Sequence, residues 1–330
     1  MPSLDKLLRR RIIIGIHGLA NKPPKKLLKT WWEASIREGL DNIGAPERDF
    51  RFELVYWADF LHEKPQDPDI SYEKHELYID DPYIPGRGGY EDFKPSELRK
   101  KFLDKLEKKL DRIFFEEKSF INYEYFTNLI IRNLFKDLDA YYNKNCPVTA
   151  YANLPTREAL RGRLADLLHK HRNKSILLFS HSMGTIIAYD VLTRMVPDVT
   201  VDTFITMGSP LGLPVIMKRI YEEQGRDYRK EKQLPAPENI ARAWYNFSDL
   251  GDPVAANYNL ADDYRPNSKG LGPQDVIVYN NYKYGKLRDP HKSYGYLRAP
   301  EVARVIEEFL AREKGTWLGR WFDKAAGFLG

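Results

Sequence analysis

Residues 175–190 constrain this chain more than any other stretch. Ser175-Ile176-Leu177-Leu178-Phe179 is a short apolar run of strand type, and it passes directly into Ser180-His181-Ser182-Met183-Gly184. An apolar-faced helical segment, Thr185-Ile186-Ile187-Ala188-Tyr189-Asp190, follows at once. A Ser-x-Ser-x-Gly step between a buried strand and a helix calls for a sharp turn that lifts the middle serine, Ser182, above the sheet edge. Small residues two before and two after that serine keep the turn free of clashes. The helix start beneath it offers unpaired N–H groups and the positive end of the dipole to a developing oxyanion. The first small position, usually Gly in such turns, is Ser180 here. The plainer alternative is a serine-rich turn in which Ser182 only caps the helix.

Strands alternate with helices on both sides of this segment. Arg11 to Ile16 is a β-branched run that ends at His17-Gly18 and reads as a buried strand, followed by a helix around Leu27 to Leu40. Phe52 to Trp57 is a second strand. After the insertion come a helix at Thr156 to His171 and the strand from Ser175. Further along are a helix at Ser182 to Met195, a strand at Val201 to Met207, strands at Ile240 to Phe247 and Asp275 to Tyr282, and a helix at Pro300 to Arg312. This order predicts the α/β class, with a mostly parallel sheet covered by helices on both faces. Residues 1–60 and 151–330 are expected to form the core, and residues 61–150 an inserted loop and helical cap region. Pro65 to Gly89 is rich in Pro, Asp, Tyr and Gly without periodicity and reads as a long loop. Pro95 to Glu117 and Tyr123 to Tyr142 read as helices.

Composition narrows the function classes. Lys and Arg exceed Asp and Glu by 52 − 47 = 5, with both signs interleaved, which does not predict nucleic-acid binding. The mean hydropathy is −0.56, and no run approaches the ~20 apolar residues of a membrane span. Behind Lys6, Arg9, Arg10 and Arg11 the apolar run is too short for a secretory signal, so a cytoplasmic location is expected. Cys146 is the only cysteine, which rules out an intramolecular disulfide and a multi-cysteine metal site. Asp80-Asp81 and Asp262-Asp263 lack a nearby His or Cys and read as solvated turn acids.

The segment around Ser182 resembles the turn of intracellular lipases and esterases of the α/β-hydrolase superfamily, including DDHD-type phospholipases. Residues 11–57 and 155–313 look like that fold, and Thr206-Met207-Gly208-Ser209-Pro210-Leu211-Gly212 is similar to the segment after the next strand in many lipases. The resemblance implies a serine hydrolase with Ser182 as nucleophile, working without metal or organic cofactor. Ile16-His17-Gly18-Leu19 is similar to the His-Gly loop whose next N–H, here that of Leu19, forms half of the oxyanion hole. The N–H of Met183 would form the other half. His17 itself is then structural.

The acid is expected after a later strand, and Trp244 to Ala255 presents two candidates. Gly251-Asp252-Pro253-Val254 is similar to the Gly-Asp-x-Val loop of related lipases, so Asp252 leads and Asp249 is held in reserve. Either could instead be a turn residue capping its own loop. Of seven histidines, only His291 follows the last strand and precedes the final helix. The chain order Ser182, Asp252, His291 is the order of this fold.

The expected substrate is a carboxylic ester of apolar or lipid-like character. Phe115 and Phe126, among the aromatics Phe114, Phe120, Tyr123 and Tyr125, are candidates for an acyl wall, although ordinary helix packing accounts for them equally well or slightly better. A thioesterase or amidase on the same machinery is one alternative, and a binding protein without turnover is another. The tail from Trp317 to Leu329 could rest on a membrane surface, but docking on its own domain is the stronger reading. The residues leave the oligomeric state open.

Overall fold

A computed structural model describes residues 11–86, 95–105, 138–142, 144–228, 230–255 and 257–312. The first strand, β1 (Arg11–Ile16), buries every residue from Ile12 to Ile16. A strand that is apolar on both sides belongs in the middle of a sheet with helices on each face. Its parallel neighbours are β2 (Phe52–Val55) on one side and β3 (Ser175–His181) on the other. The sheet continues through β4 (Val201–Met207), β5 (Ile240–Ser248) and β6 (Pro273–Ile277). The order across the six strands is β2-β1-β3-β4-β5-β6, parallel throughout.

Alternate side chains feed two cores. Ile13, Leu177, Phe179, Ile205 and Phe247 face one cluster, which α1 (Lys25–Asn42) and α6 (Pro300–Ala311) complete with Leu28, Trp32, Ile36, Val302, Ile306 and Phe309. Ile12, Ile14, Ile176, Leu178 and Phe204 face the other cluster. That side is covered by α2 (Thr156–Lys170), α3 (Met183–Arg194) and α4 (Pro214–Glu223). The apolar residues of α1 recur at Leu28, Trp32, Ile36 and Leu40, one stripe of a helix with 3.6 residues per turn. Each such side chain contributes about 1.5–3 kcal/mol when fully buried.

The α/β class and the order of major elements are those anticipated, with boundaries shifted by a few residues. Two helices went unanticipated: α4, and the short α5 (Ser293–Leu297) between the last strand and α6. Among the described residues, no helix is long and apolar enough to cross a membrane.

Residues 62–86 contain neither helix nor strand, yet they are tied down closely. Gln66 N–H donates to Lys22 O at 2.9 Å, Asn21 Nδ2 to Lys64 O at 2.9 Å, and Tyr282 OH to Pro82 O at 2.7 Å. Tyr83 OH and the Arg298 guanidinium both bond Glu38. Of the two helices expected in the insertion, the described parts, 97–105 and 138–142, are helical. Leu103 packs on Leu250 and Tyr258, and Tyr141 OH donates to Asp190 Oδ2 at 2.6 Å. Phe114, Phe115, Phe120, Tyr123, Tyr125 and Phe126 lie outside the described residues, as does the tail from Trp317.

Candidate active site

Because all six strands run parallel, their C-terminal ends meet along one edge of the sheet. Register places Ile16 beside Ser180 and His181 beside Met207, so the loops after β1, β3 and β4 leave that edge side by side. Ser182 sits between β3 and α3 at φ 54° and ψ −130°. A non-glycine residue there carries about 1–3 kcal/mol of backbone strain, which its neighbours must hold in place. Ser182 N–H donates to Met207 O at 3.0 Å, and its carbonyl accepts Thr185 Oγ1 at 2.7 Å.

The small positions around Ser182 are tight. A Cβ on Gly184 would lie 2.7 Å from His17 O, and one on Gly18 would lie 2.7 Å from Ser182 Cβ. Ser180 is accommodated because its Oγ donates to Ile205 O at 2.9 Å, so its extra polar atom is satisfied.

The Ser182 hydroxyl meets His291 Nε2 at 3.0 Å. On the other side of the imidazole, Nδ1 lies 2.9 Å from both Oδ1 and Oδ2 of Asp252. All three residues are buried, although 109 residues of chain separate Ser182 from His291. Asp252 lies in the loop after β5, where Oδ1 accepts Val254 N–H at 2.9 Å. Asp249 is engaged elsewhere: its carboxylate takes Arg288 as an ion pair and accepts Asn280 N–H at 2.8 Å. The structure therefore brings Asp252, and not Asp249, to the imidazole.

Two further histidines adjoin the site without joining this chain. His17 is fully buried, accepts Trp57 N–H on Nε2 at 3.0 Å and is 2.8 Å from Gly18 O through Nδ1. Burial, reinforced by the Lys22 charge, pushes its pKa down to about 3. A neutral imidazole that donates to Gly18 O and accepts from Trp57 fits both contacts. His181 donates Nε2–H to His291 O at 2.7 Å, and its ring centroid is 4.8 Å from that of His291. Burial, then the neighbouring His291, holds it well below the usual histidine range. Sequence reasoning passed over His181, since its partner is a backbone atom more than a hundred residues away. His75, His169 and His171 bond Leu77 N–H, Asp198 and Glu53 respectively.

Met183 is the first residue of α3, where a backbone N–H has no acceptor within the helix. Leu19 lies in the loop after β1 and lines a cavity of about 330 Å³ together with Ser182, His181 and His291. Its apolar lining includes Leu28, Trp32 and Tyr294, and its polar lining includes Lys22, Gln66, Asp80, Asp81 and Lys292. Asp81 is no solvated turn acid: it pairs with Lys292, which also lies 3.6 Å from Asp289. Burial alone would lower the Lys292 ammonium, but Asp81 and Asp289 hold it above its ordinary value. Asp262 and Asp263 accept the side-chain amides of Asn259 and Asn257. Among the described residues, no group of three or more His, Cys, Asp or Glu is placed to hold a metal.

The strand order, with a strained serine after the third strand and its histidine and carboxylate partners after the later strands, decides the architecture. The fold is that of the α/β-hydrolases. Residues 160–227 of this α/β-hydrolase fold match the family model of lecithin:cholesterol acyltransferase. That stretch includes Ser182 but neither Asp252 nor His291. A crystal structure from Xanthomonas campestris pv. campestris, of a protein assigned by name to the alpha/beta superfamily of hydrolases, is similar at 13% identity. The similarity covers 91% of this chain and 99% of that chain with a TM-score of 0.35, a likeness too slight to bear on the site. No curated protein matches the chain.

Proposed function

We propose that the protein is a serine hydrolase that cleaves a carboxylic ester through an acyl-enzyme on Ser182. The observation that carries this reading is the unbroken hydrogen-bond chain from Ser182 Oγ through His291 to the Asp252 carboxylate. His291 Nε2 takes the hydroxyl proton as Oγ attacks the ester carbonyl carbon, and the carbonyl electrons move onto oxygen. The backbone N–H groups of Leu19 and Met183 receive that oxyanion. When it collapses, the C–O bond to the alcohol breaks and His291 returns the proton to the leaving oxygen. Water, deprotonated by the same imidazole, then releases the acid. Asp252 orients the imidazole and offsets its transient positive charge.

The match to the acyltransferase model over 160–227 supports lipase-like chemistry at Ser182. The cavity lining favours an ester with two unlike ends. Leu19, Leu28, Trp32 and Tyr294 offer apolar contact to an acyl group, and the charged wall from Lys22 to Lys292 suits a polar alcohol portion.

A fluorophosphonate probe tests the reading directly, because it labels only an activated serine. Labelling of the wild type, its loss in Ser182→Ala, and turnover within a series of p-nitrophenyl esters are expected. Ser182→Ala should lower kcat by on the order of 10⁴–10⁶. A folded wild-type protein that neither labels nor turns over any ester would instead be a binding protein.

A further inference from the structure

We infer that Tyr296 is a positioning residue for this site, its phenol holding the Asp252 carboxylate in the orientation that His291 requires. The inference rests on the proposed reaction only for its kinetic consequences; the contacts stand by themselves.

Tyr296 lies in α5, five residues beyond His291, and is fully buried. Its oxygen is 2.8 Å from Asp252 Oδ2 and accepts the N–H of Asp249 at 3.0 Å. A backbone N–H can only donate, so the phenolic proton is free to serve one partner, and that partner is the carboxylate. Burial and the adjacent Asp252 keep the phenol far above its usual pKa, so it stays a donor wherever the protein is folded.

This donor matters because of how the imidazole meets the acid. Nδ1 of His291 is 2.9 Å from both carboxylate oxygens, so that contact alone does not select one rotation of Asp252. Oδ1 is fixed by Val254 N–H, and Oδ2 by Tyr296 OH. With both held, the plane of the carboxylate is set, and with it the ring of His291.

A second feature points the same way. Gly208, at φ 54°, leaves open the space in which these groups converge. A Cβ there would lie 2.7 Å from Asp252 Oδ2, 3.1 Å from His291 Nδ1 and 3.2 Å from Tyr296 Cε2. The backbone N–H of Asp249 anchors the phenol oxygen, while its carboxylate is committed to Arg288 and Asn280. The charged or titratable groups that adjoin this cluster are His291, His181, Asp249 and Arg288, together with Asp289, whose Oδ1 accepts the N–H of His291 at 2.9 Å, and Lys292 beside it.

The test compares Tyr296→Phe with Tyr282→Phe. Tyr282 is another buried tyrosine, but its hydroxyl bonds Pro82 O and not the acid. Rates are expressed per active site after titration with a fluorophosphonate, which removes any loss of folded protein. Loss of one hydrogen bond to a charged group should lower kcat about 10- to 100-fold in Tyr296→Phe, with KM little changed. The freed carboxylate is more basic and grips the imidazolium more tightly, so the acidic limb of kcat/KM should move to higher pH. The downfield His291 Nδ1–H proton resonance should shift as well, a readout that needs no turnover. Tyr282→Phe should lower the melting temperature without moving the limb or the resonance. Wild-type kcat, limb and resonance in Tyr296→Phe would overturn the inference while leaving the hydrolase reading intact. A wild type that never labels would overturn the hydrolase reading, and the resonance would still decide the role of Tyr296.

Discussion

Asp249 and Asp252 are three residues apart, equally buried and chemically identical, yet their surroundings give them different work. Asp252 faces the imidazole, whereas Asp249 faces a guanidinium and two backbone N–H groups. Asp252→Asn is expected to cost several orders of magnitude in kcat with little change in melting temperature, because the amide cannot balance the imidazolium. Asp249→Asn should do the reverse: it weakens the pair with Arg288, lowers stability by about 1–3 kcal/mol, and leaves most of the rate per active site. Rates and thermal melts on the two variants check this, and reversed effects would exchange their roles. Sequence favoured Asp252 only by the likeness of Gly251-Asp252-Pro253-Val254 to a known loop. What separates the two acids physically is the position of Arg288, which no local pattern discloses. Tyr296 was illegible for the same reason. A tyrosine in an apolar stretch looks like core, and its hydroxyl partner is known only once the loop after β5 meets α5. Ser182 was far more legible, since strand, turn and helix around it are contiguous in the chain.

Among the elements, the six strands of the sheet and the helices α1, α2, α3 and α6 were readable from periodicity, whereas α4, which also fills one core, was not. Apolar runs such as Ile176 to Phe179 suit a strand buried on both faces in a parallel sheet covered by helices, and α1 shows its stripe openly. The short α5 was not readable, because Ser293 to Leu297 is too brief to establish a period. Of the loop expected at Pro65 to Gly89, the described residues 65–86 hold neither helix nor strand, but sequence gave no sign of how firmly the chain is pinned there. Gln66, Asp80 and Asp81 from this strap line the cavity, and the Lys292 pair joins it to the residue after His291. Asp81→Asn should therefore loosen the strap. Proteolytic cleavage within 62–86 should quicken, and KM should rise more than kcat falls. Limited proteolysis beside steady-state kinetics measures both, and unchanged cleavage with unchanged KM would show that the remaining ties suffice.

For the molecule as a whole, the buried neutral histidines make stability depend on pH. The folded His17 binds its proton only near pH 3, whereas the unfolded imidazole takes one up near 6.5. Between those values the unfolded state holds more protons, so unfolding becomes easier as pH falls. The stability His17 contributes is complete above about pH 6.5 and is lost progressively down to about pH 3. The slope it adds cannot exceed about 1.4 kcal/mol per pH unit. His181, shifted in the same direction, adds to it. Urea unfolding at pH 7 and pH 5 should show the loss. His17→Asn, though less stable at pH 7, should lose less on acidification; an equal loss would place the acid sensitivity elsewhere.

The parallel sheet also gathers the site from two separate stretches of the chain. Ser182, Asp252, His291 and Tyr296, which the hydrogen bonds of the site join, lie on one continuous stretch ending at Tyr296. Most of the other residues that line the cavity, among them Leu19, Lys22, Gln66, Asp80 and Asp81, lie on another stretch that ends before residue 87, while Asp289, Lys292, Ser293 and Tyr294 belong to the first. The two stretches join at the edge between β1 and β3, where Gly18 and Gly184 leave no room for drift. Under the proposed reaction, substitutions at Lys22, Gln66, Asp80 and Asp81 alter which molecule is admitted while Ser182, Asp252 and His291 stay in place. A chain arranged in this way can change its diet without relearning its chemistry.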